Sequence, residues 1–350
     1  MVSLGVSQQH TANPCLSFEA EMPDTLFPRF VLYRLRLRLE LGVRRQRLPA
    51  YLGSTVRGLF AASFRHLVCV TQALVYDGCL LLHRCPYPYI FETPPPPHLP
   101  DVLQKRFRQA PRPYIFEVPM IYAGEETLEL GLVLVGRALD FLPYFLYVVQ
   151  ETGKRGLGRA QVPYRLLAVT DGSQADGPVI FHAEEGIIHD SVPAITLAGL
   201  QQQGDAQVRQ VTMEFLAPLR IKKYGAYQEA GERIEFATLL DLLLGRLEAL
   251  ALFHCEESWS PNTVLREAAH SVQVVAKHLS LQPLERYSNR HHQKLPLHGL
   301  VGTVSFTGNL AAFLPLLRMG EYVHIGAGTA FGLGQYRLYT QPVHASPGIP

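Results

Sequence analysis

Two short segments concentrate the side chains that could move protons or hold phosphate. The first, LPAYLGSTVRGLFAASFRHLVCV (48–70), carries Tyr51 near its start and Arg65 and His66 near its end. The second, ERYSNRHHQKLPLH (285–298), places Arg286, Arg290, Lys294, His291, His292 and His298 around Tyr287. Histidine is the side chain whose charge changes near neutral pH, so each of these can act as acid or base. Cations beside an aromatic ring suit pairing with a nucleic-acid backbone and stacking on a base. In an extended segment His291 and His292 point to opposite sides, so one of them at most faces a given site.

A third segment, HIGAGTAFGLGQYRL (324–338), holds Gly326, Gly328, Gly332 and Gly334 with Thr329 between them. Glycine permits positive φ and close backbone approach, and a run of exposed N–H groups forms an anion-binding concavity. A dinucleotide fingerprint would need a strand before the glycines and a helix after them. Here a strand follows, and the GK[ST] of a nucleotide-triphosphate loop is absent. Two readings remain: a loop that offers N–H groups to phosphate, and a tight turn that docks a helix on a sheet.

The elements that must position these segments can be read from periodicity. RFVLYRLRLRLEL (29–41) alternates with period two, which predicts a half-buried strand with Arg34, Arg36 and Arg38 on one face. Eight arginines and one acid, Glu40, lie between Arg34 and Arg65, a local basic zone in a chain of net charge +2. Ser54 is placed to cap a helix through Val56, Leu59, Phe60, Phe64 and Leu67. PPPP (94–97) excludes regular structure where it stands. Strands are expected at 127–136 and 162–171 with a helix at 141–152, and GKRGLGR (153–159) as the turn between helix and strand. From 206 the pattern repeats: strand 208–221, helix 237–255, further helix 261–280, strand from 286, strand 299–308, helix 309–320 and strand 332–340. The whole reads as α+β, two tandem ferredoxin-like βαββαβ units with antiparallel sheets. The expected divisions are a loose tail at 1–25, a first domain at 26–205 with a Cys/Pro-rich insertion, and a second at 206–345.

Composition sets the class. Of 350 residues 47% are hydrophobic and 18% charged, as in a folded globular chain. No uncharged apolar run of about 18 residues suggests a membrane span, and MVSLGVSQQH lacks the order of an export signal. Five cysteines do not suggest a disulfide framework. Together these predict a cytoplasmic protein. Cys69, Cys79 and Cys85, with His83 or His66, could supply a zinc set; buried reduced thiols are the expectation instead, with no metal and no cofactor.

GAGTAFGLG, behind LLRMGEYVHI and ahead of a terminal strand, resembles the C-terminal glycine-rich signature of the repeat-associated (RAMP) superfamily. LPAYLGSTVRGLFAASFRHLVC resembles that superfamily's first helix. The cysteine-bearing stretch before YIFETPPPP, LAPLRIKKYG and RYSNR…LHGLVGTVSFTG fit the branch that processes precursor CRISPR RNA. The likeness covers about residues 28–341. It implies an endoribonuclease that binds CRISPR repeat RNA and cuts without metal, the ribose 2′-OH attacking the adjacent phosphate to leave a 2′,3′-cyclic phosphate. It implies His66 as general base, with Tyr51 orienting or donating, and His291 or His292 as second candidates. Arg57, Arg155, Arg159, Lys222, Lys223, Arg286, Arg290 and Lys294 would grip RNA together with Gly326, Gly328, Thr329, Gly332 and Gly334. Where relatives carry a cation in the glycine loop, this chain has Ala327, Thr329, Ala330 and Phe331. A second reading is therefore a catalytically inactive RNA-binding subunit of a CRISPR effector complex; on either reading the chain is expected as a monomer or homodimer, with other CRISPR effector subunits as candidate partners. A metal-dependent nuclease has little support, since Asp140, Asp171 and Asp190 are scattered.

Overall fold

The structure is a computed structural model. It describes residues 26–342 except 43–47, 50, 72–77, 97–98, 108–109, 119–125, 190, 203, 224–225, 228–230, 232–233 and 289–292. The expected tail at 1–25 lies outside the described residues.

The N-terminal unit begins with β1 (Val31–Leu41), whose period-two pattern buries Leu35, Leu37, Leu39 and Leu41 on one face. Helix α1 (Gly53–Val68) follows and buries Val56, Phe60 and Phe64 at a spacing of four. No side chain caps α1: it starts at Gly53, so Ser54 lies inside the first turn and does not serve as the expected cap. The proline-rich stretch is irregular at 93–96, but one π-helical turn before it (Pro88–Glu92) seats Ile90 and Phe91 in the core. A short α2 (Asp101–Arg106) leads to β2 (Tyr114–Glu117), β3 (Thr127–Val135), α3 (Leu142–Arg155) and β4 (Tyr164–Asp171). Strand order is β2-β3-β1-β4, all antiparallel, extended by β5 (Val179–His182) and β6 (Ile187–Ile188), with β7 (Ile195–Thr196) paired to the start of β1. The core under α1 and α3 is aromatic: Phe60 stacks on Phe145 at 4.9 Å and meets Phe116 edge-on at 5.3 Å.

The C-terminal unit runs β8 (Val208–Leu219), a two-residue ribbon β9 (Lys222–Lys223) and β10 (Ala226–Tyr227), α4 (Phe236–His254), α5 (Thr263–Ala268), β11 (Gln273–Gln282), a small hairpin β12 (Glu285–Ser288) and β13 (Gln293–Pro296), β14 (Gly299–Thr307), α6 (Leu314–Val323) and β15 (Tyr336–Pro342). Its sheet order is β11-β14-β8-β15, again antiparallel. Both units therefore have the ferredoxin-like order, as the sequence predicts. One element is corrected. Helix was expected across 261–280, yet α5 ends at Ala268 and Gln273–Gln282 is the second strand. The strand expected from 286 is only the first arm of the hairpin, outside the main sheet. β11 is an edge strand on which Val274 and Leu279 are only half-buried while Val275 and Leu281 are exposed, so its sequence lacks the apolar-polar alternation that marks a strand.

The outer face of the N-terminal sheet changes character along its length. At one end Phe30, Leu32, Ile115, Val133 and Val135 join the apolar cluster of Leu250 and Ala251 from α4. One register step further the same face carries Arg34, Arg36 and Arg38. Apolar docking at one end and charge at the other leave a cleft between the domains.

Candidate nucleic-acid interface

The glycine loop leaves its own domain. Residues 325–334 connect α6 to β15, and the short 3-10 turn Thr329–Phe331 reaches across to α1 and β2 of the N-terminal unit. The contact admits almost no side-chain volume. A methyl group on Gly53, the first residue of α1, would overlap the Phe331 carbonyl. One on Gly332 would lie 2.6 Å from the Phe116 carbonyl, and Gly332 has φ +86°. Glycine is needed there both for conformation and for the close approach. The Tyr51 hydroxyl donates to the Phe331 carbonyl and fixes the turn.

Five of the loop's amides, those of Ile325, Ala327, Phe331, Gly332 and Gly334, are already committed to backbone carbonyls. Thr329 is buried. The loop's one hydroxyl therefore faces inward, away from the RNA role expected for it. Burial pushes the Tyr51 hydroxyl well above its ordinary range, which suits a fixed donor rather than a group that exchanges protons. His324 just before the loop is fully buried at φ +59°, with neither ring nitrogen hydrogen-bonded, and burial lowers it to about 3.

The cations missing from the loop come from three other elements. Arg57 of α1 lies over the Phe331 ring at 5.8 Å and over Phe91 at 5.7 Å. Arg286 of β12 covers Phe331 at 5.2 Å. Arg220, just after β8, stacks on Tyr227 at 3.9 Å and donates to the carbonyls of His298 and Pro296. Burial, then the nearby charges of Arg57 and Arg220, hold the Arg286 guanidinium below its usual range. Among the described residues none of the three forms an ion pair. The buried Nε of Arg57 has no hydrogen-bond partner. Three guanidinium groups without a counter-charge, ordered by aromatic faces, form an anion site.

The other expected residues divide into those near this centre and those away from it. Gly158, between Arg155 and Arg159, is close enough that an added methyl would touch Thr55 of α1 at 3.9 Å. Arg155 and Arg159 are exposed on that rim. Lys222 is exposed two residues beyond Arg220, and the Lys223 side chain lies outside the described residues, as do Arg290, His291 and His292. Lys294 is exposed and paired with Glu285 at 3.0 Å. His66 is exposed nine residues beyond Arg57, which on a helix is about 14 Å along the axis and the opposite face. The structure does not bring it to the arginine cluster. Asp171 is fully buried and accepts from the amide and hydroxyl of Ser173. No three His, Cys, Asp or Glu side chains among the described residues converge as a metal-binding group, Cys69, Cys79 and Cys85 included.

Two residues of this centre, Arg220 and Phe331, are not among the RNA contacts expected from the sequence. An arginine immediately after a core strand and an aromatic inside a glycine loop are the signals that were there to be read.

Comparison with known proteins places the fold. Residues 213–336 match the family model described as CRISPR-associated endoribonuclease Cas6. The C-terminal domain matches Cas6. Residues 28–193 match a second model, described only as an N-terminal domain. An uncharacterized protein of Archaeoglobus fulgidus is 24% identical over 323 residues, spanning 88% of this chain and 99% of that protein. The product complex of Thermus thermophilus Cas6 (TTHB231) has a TM-score of 0.52 at 19% identity, over 88% of this chain and 99% of that one. The Cas6 (TTHA0078) product complex gives 0.50 at 20% identity over the same shares. What this chain shares with the two Cas6 structures is the tandem ferredoxin-like fold.

Proposed function

We propose that this protein is an endoribonuclease that binds CRISPR repeat RNA and cuts precursor CRISPR RNA within its repeats, without a metal. The observation that carries the reading is Arg57 and Arg286 over Phe331, with Arg220 near Arg286 and stacked on Tyr227, none of them in an ion pair among the described residues, at the junction of a Cas6-like fold. An RNA phosphate seated there relieves the mutual repulsion of the three cations. When a 2′-OH attacks that phosphate, negative charge builds on its oxygens, and fixed guanidinium donors stabilise it more than they stabilise the ground state. A general base takes the 2′-OH proton. The new O–P bond closes the cyclic phosphate, the bond to the 5′ oxygen breaks, and that oxygen takes a proton as it leaves. Tyr51 is a positioning residue, since its hydroxyl is committed to the loop. For the base, the reading favours His291 or His292, which follow β12 and its Arg286 in sequence, over His66 on the far face of α1.

The test is cleavage of end-labelled repeat RNA in excess EDTA, with single 2′-deoxy substitutions along the repeat. One cut ending in a cyclic phosphate, and blocked by one deoxy position, supports the reading. Tight binding with no cut in EDTA or in magnesium removes the endonuclease. The base is assigned by comparing His66→Ala with a His291→Ala/His292→Ala double variant: loss of cutting with binding kept is expected of the double variant alone.

A further inference from the structure

One acid is built into the charged half of the N-terminal sheet. Glu117 ends β2 opposite Gly131 of β3, and Arg36 of β1 flanks Gly131 from the other side. The carboxylate lies over Gly131, where any Cβ would overlap Oε2, so glycine is required to make that room. Glu117 is 6% exposed. Arg34 holds Oε2 through Nε at 2.9 Å and Nη2 at 2.8 Å, and its Nη1 donates to the Gly172 carbonyl at 3.1 Å. Glu117 Oε1 is buried and accepts no hydrogen bond. Leaving such an acceptor unanswered is unfavourable, and a ligand that brings N–H donors reverses that. Burial raises the carboxyl's pKa against the opposing pull of Arg34 and Arg36.

A cleft of about 910 Å³ between the domains is lined by this pair. That volume is within the range of about 300–1,000 Å³ typical for one small-molecule ligand. Tyr51, Leu216, Pro218 and Leu284 give it apolar walls; Arg36 and Glu117 stand among its polar groups, with Glu129, Gln335 and Arg337 also on the lining. Arg36 donates from Nη1 to the Ala175 carbonyl at 2.6 Å and from Nη2 to the Gln174 carbonyl at 3.4 Å, while its Nε, 3.9 Å from Glu129, keeps a donor to offer. Apolar walls, a buried acceptor without a partner and a nearby Nε donor suit a single unstacked base rather than a paired helix.

We propose that this cleft takes one unpaired guanine of a bound RNA strand, with Glu117 Oε1 accepting from its N1–H and 2-amino group and Arg36 donating to O6. Arg34 acts as a positioning residue that keeps the carboxylate in place. Adenine and cytosine turn a ring acceptor toward the carboxylate where guanine turns N1–H, and inosine lacks the 2-amino donor. The inference rests on the RNA-binding reading above.

The experiment measures anisotropy of labelled oligocytidylate, whose bases turn a ring acceptor to the carboxylate, carrying one central guanosine, inosine, adenosine or cytidine, on the full chain at one fixed salt. Guanosine is expected to bind about tenfold tighter than adenosine or cytidine, the scale of one good base contact, with inosine between. A Glu117→Leu/Arg34→Met double variant removes the carboxylate without leaving a lone buried charge. It is expected to bind all four equally and to keep its grip on repeat RNA. Leu216→Trp narrows the cleft from the opposite wall, leaves the ion pair untouched and is expected to lose the same preference. Equal binding of the four by the unaltered protein overturns the proposal, as does a preference that survives both variants; repeat RNA would then still bind and be cut. If repeat RNA itself fails to bind, the RNA-binding reading falls and the guanine site falls with it.

Discussion

An arginine that forms no ion pair carries its full charge to whatever approaches it. Arg57 and Arg286 are of this kind, and both are oriented by the Phe331 ring. Replacing either with alanine is expected to weaken repeat-RNA binding about tenfold and to lower the slope of log affinity against log salt by about one. Lysine at position 57 should not restore the loss, since a compact ammonium cannot lie flat between Phe91 and Phe331. A salt titration of the three variants checks both statements. Two histidines make a separate prediction. His254 donates from Nε2 to the Pro111 carbonyl and accepts at Nδ1 from Tyr89, so its ring is neutral, and burial lowers it to about 4. His324 is lowered to about 3 chiefly by burial, then by the charge of Arg246. In the unfolded chain both take up a proton at about pH 6.5. The stability they contribute is complete above that pH and is lost as pH falls toward 4, because the unfolded state then binds more protons. Thermal midpoints should fall from pH 7 to pH 4.5, and His254→Gln should flatten the slope.

At the scale of elements, the glycine loop is a joint before it is a ligand site. Gly332 and Gly204 both have positive φ, but only Gly332 has a neighbour in its way, the Phe116 carbonyl; nothing lies within 4 Å of a side chain at Gly204. Valine at Gly204 should therefore cost about 1–2 kcal/mol for the backbone alone. Valine at Gly332 should cost clearly more and should remove RNA binding and cutting together, because Phe331 moves with it. Differential scanning calorimetry beside a cleavage assay separates the two. This joint shows what the sequence could and could not convey. The arginine stripe of β1 and the apolar spacing of α1 follow from short-range periodicity, and they were legible. The edge strand β11 was not, since Val274 and Leu279 are only half-buried against the core while the equally apolar Val275 and Leu281 are exposed, so its sequence shows no clean apolar-polar alternation. Nor was the convergence of Arg57, Arg220 and Arg286, which start 163 and 66 residues apart along the chain and meet only because the loop crosses to the other domain. Glu117 and Gly131 are a cross-strand pair whose meaning depends on register, which no local pattern supplies.

At the scale of the whole molecule, the two ferredoxin-like units share a core. Leu32, Val133 and Val135 of the first sheet are buried against Leu250 and Ala251 of the second unit, and Phe107 meets Phe253 edge-on at 5.8 Å. Arg106 of α2 adds an ion pair to the buried Glu248 at 3.2 Å and lies over Trp259 at 5.4 Å. A split of either side from the other would expose that apolar face and leave Glu248, which also holds Arg266, with one partner fewer. Large shared apolar contact couples the units' stabilities, so unfolding should be a single cooperative step despite two sheets. The chain's one tryptophan stands at this junction and reports it directly. Trp259 fluorescence and far-UV circular dichroism should give coincident urea transitions. If the fluorescence change precedes the loss of secondary structure, the junction opens while each unit stays folded. The arginine cluster, which needs side chains from both units, would then be lost before either unit unfolds, and RNA binding should disappear at the first transition. With a single transition, binding and secondary structure disappear at the same urea concentration.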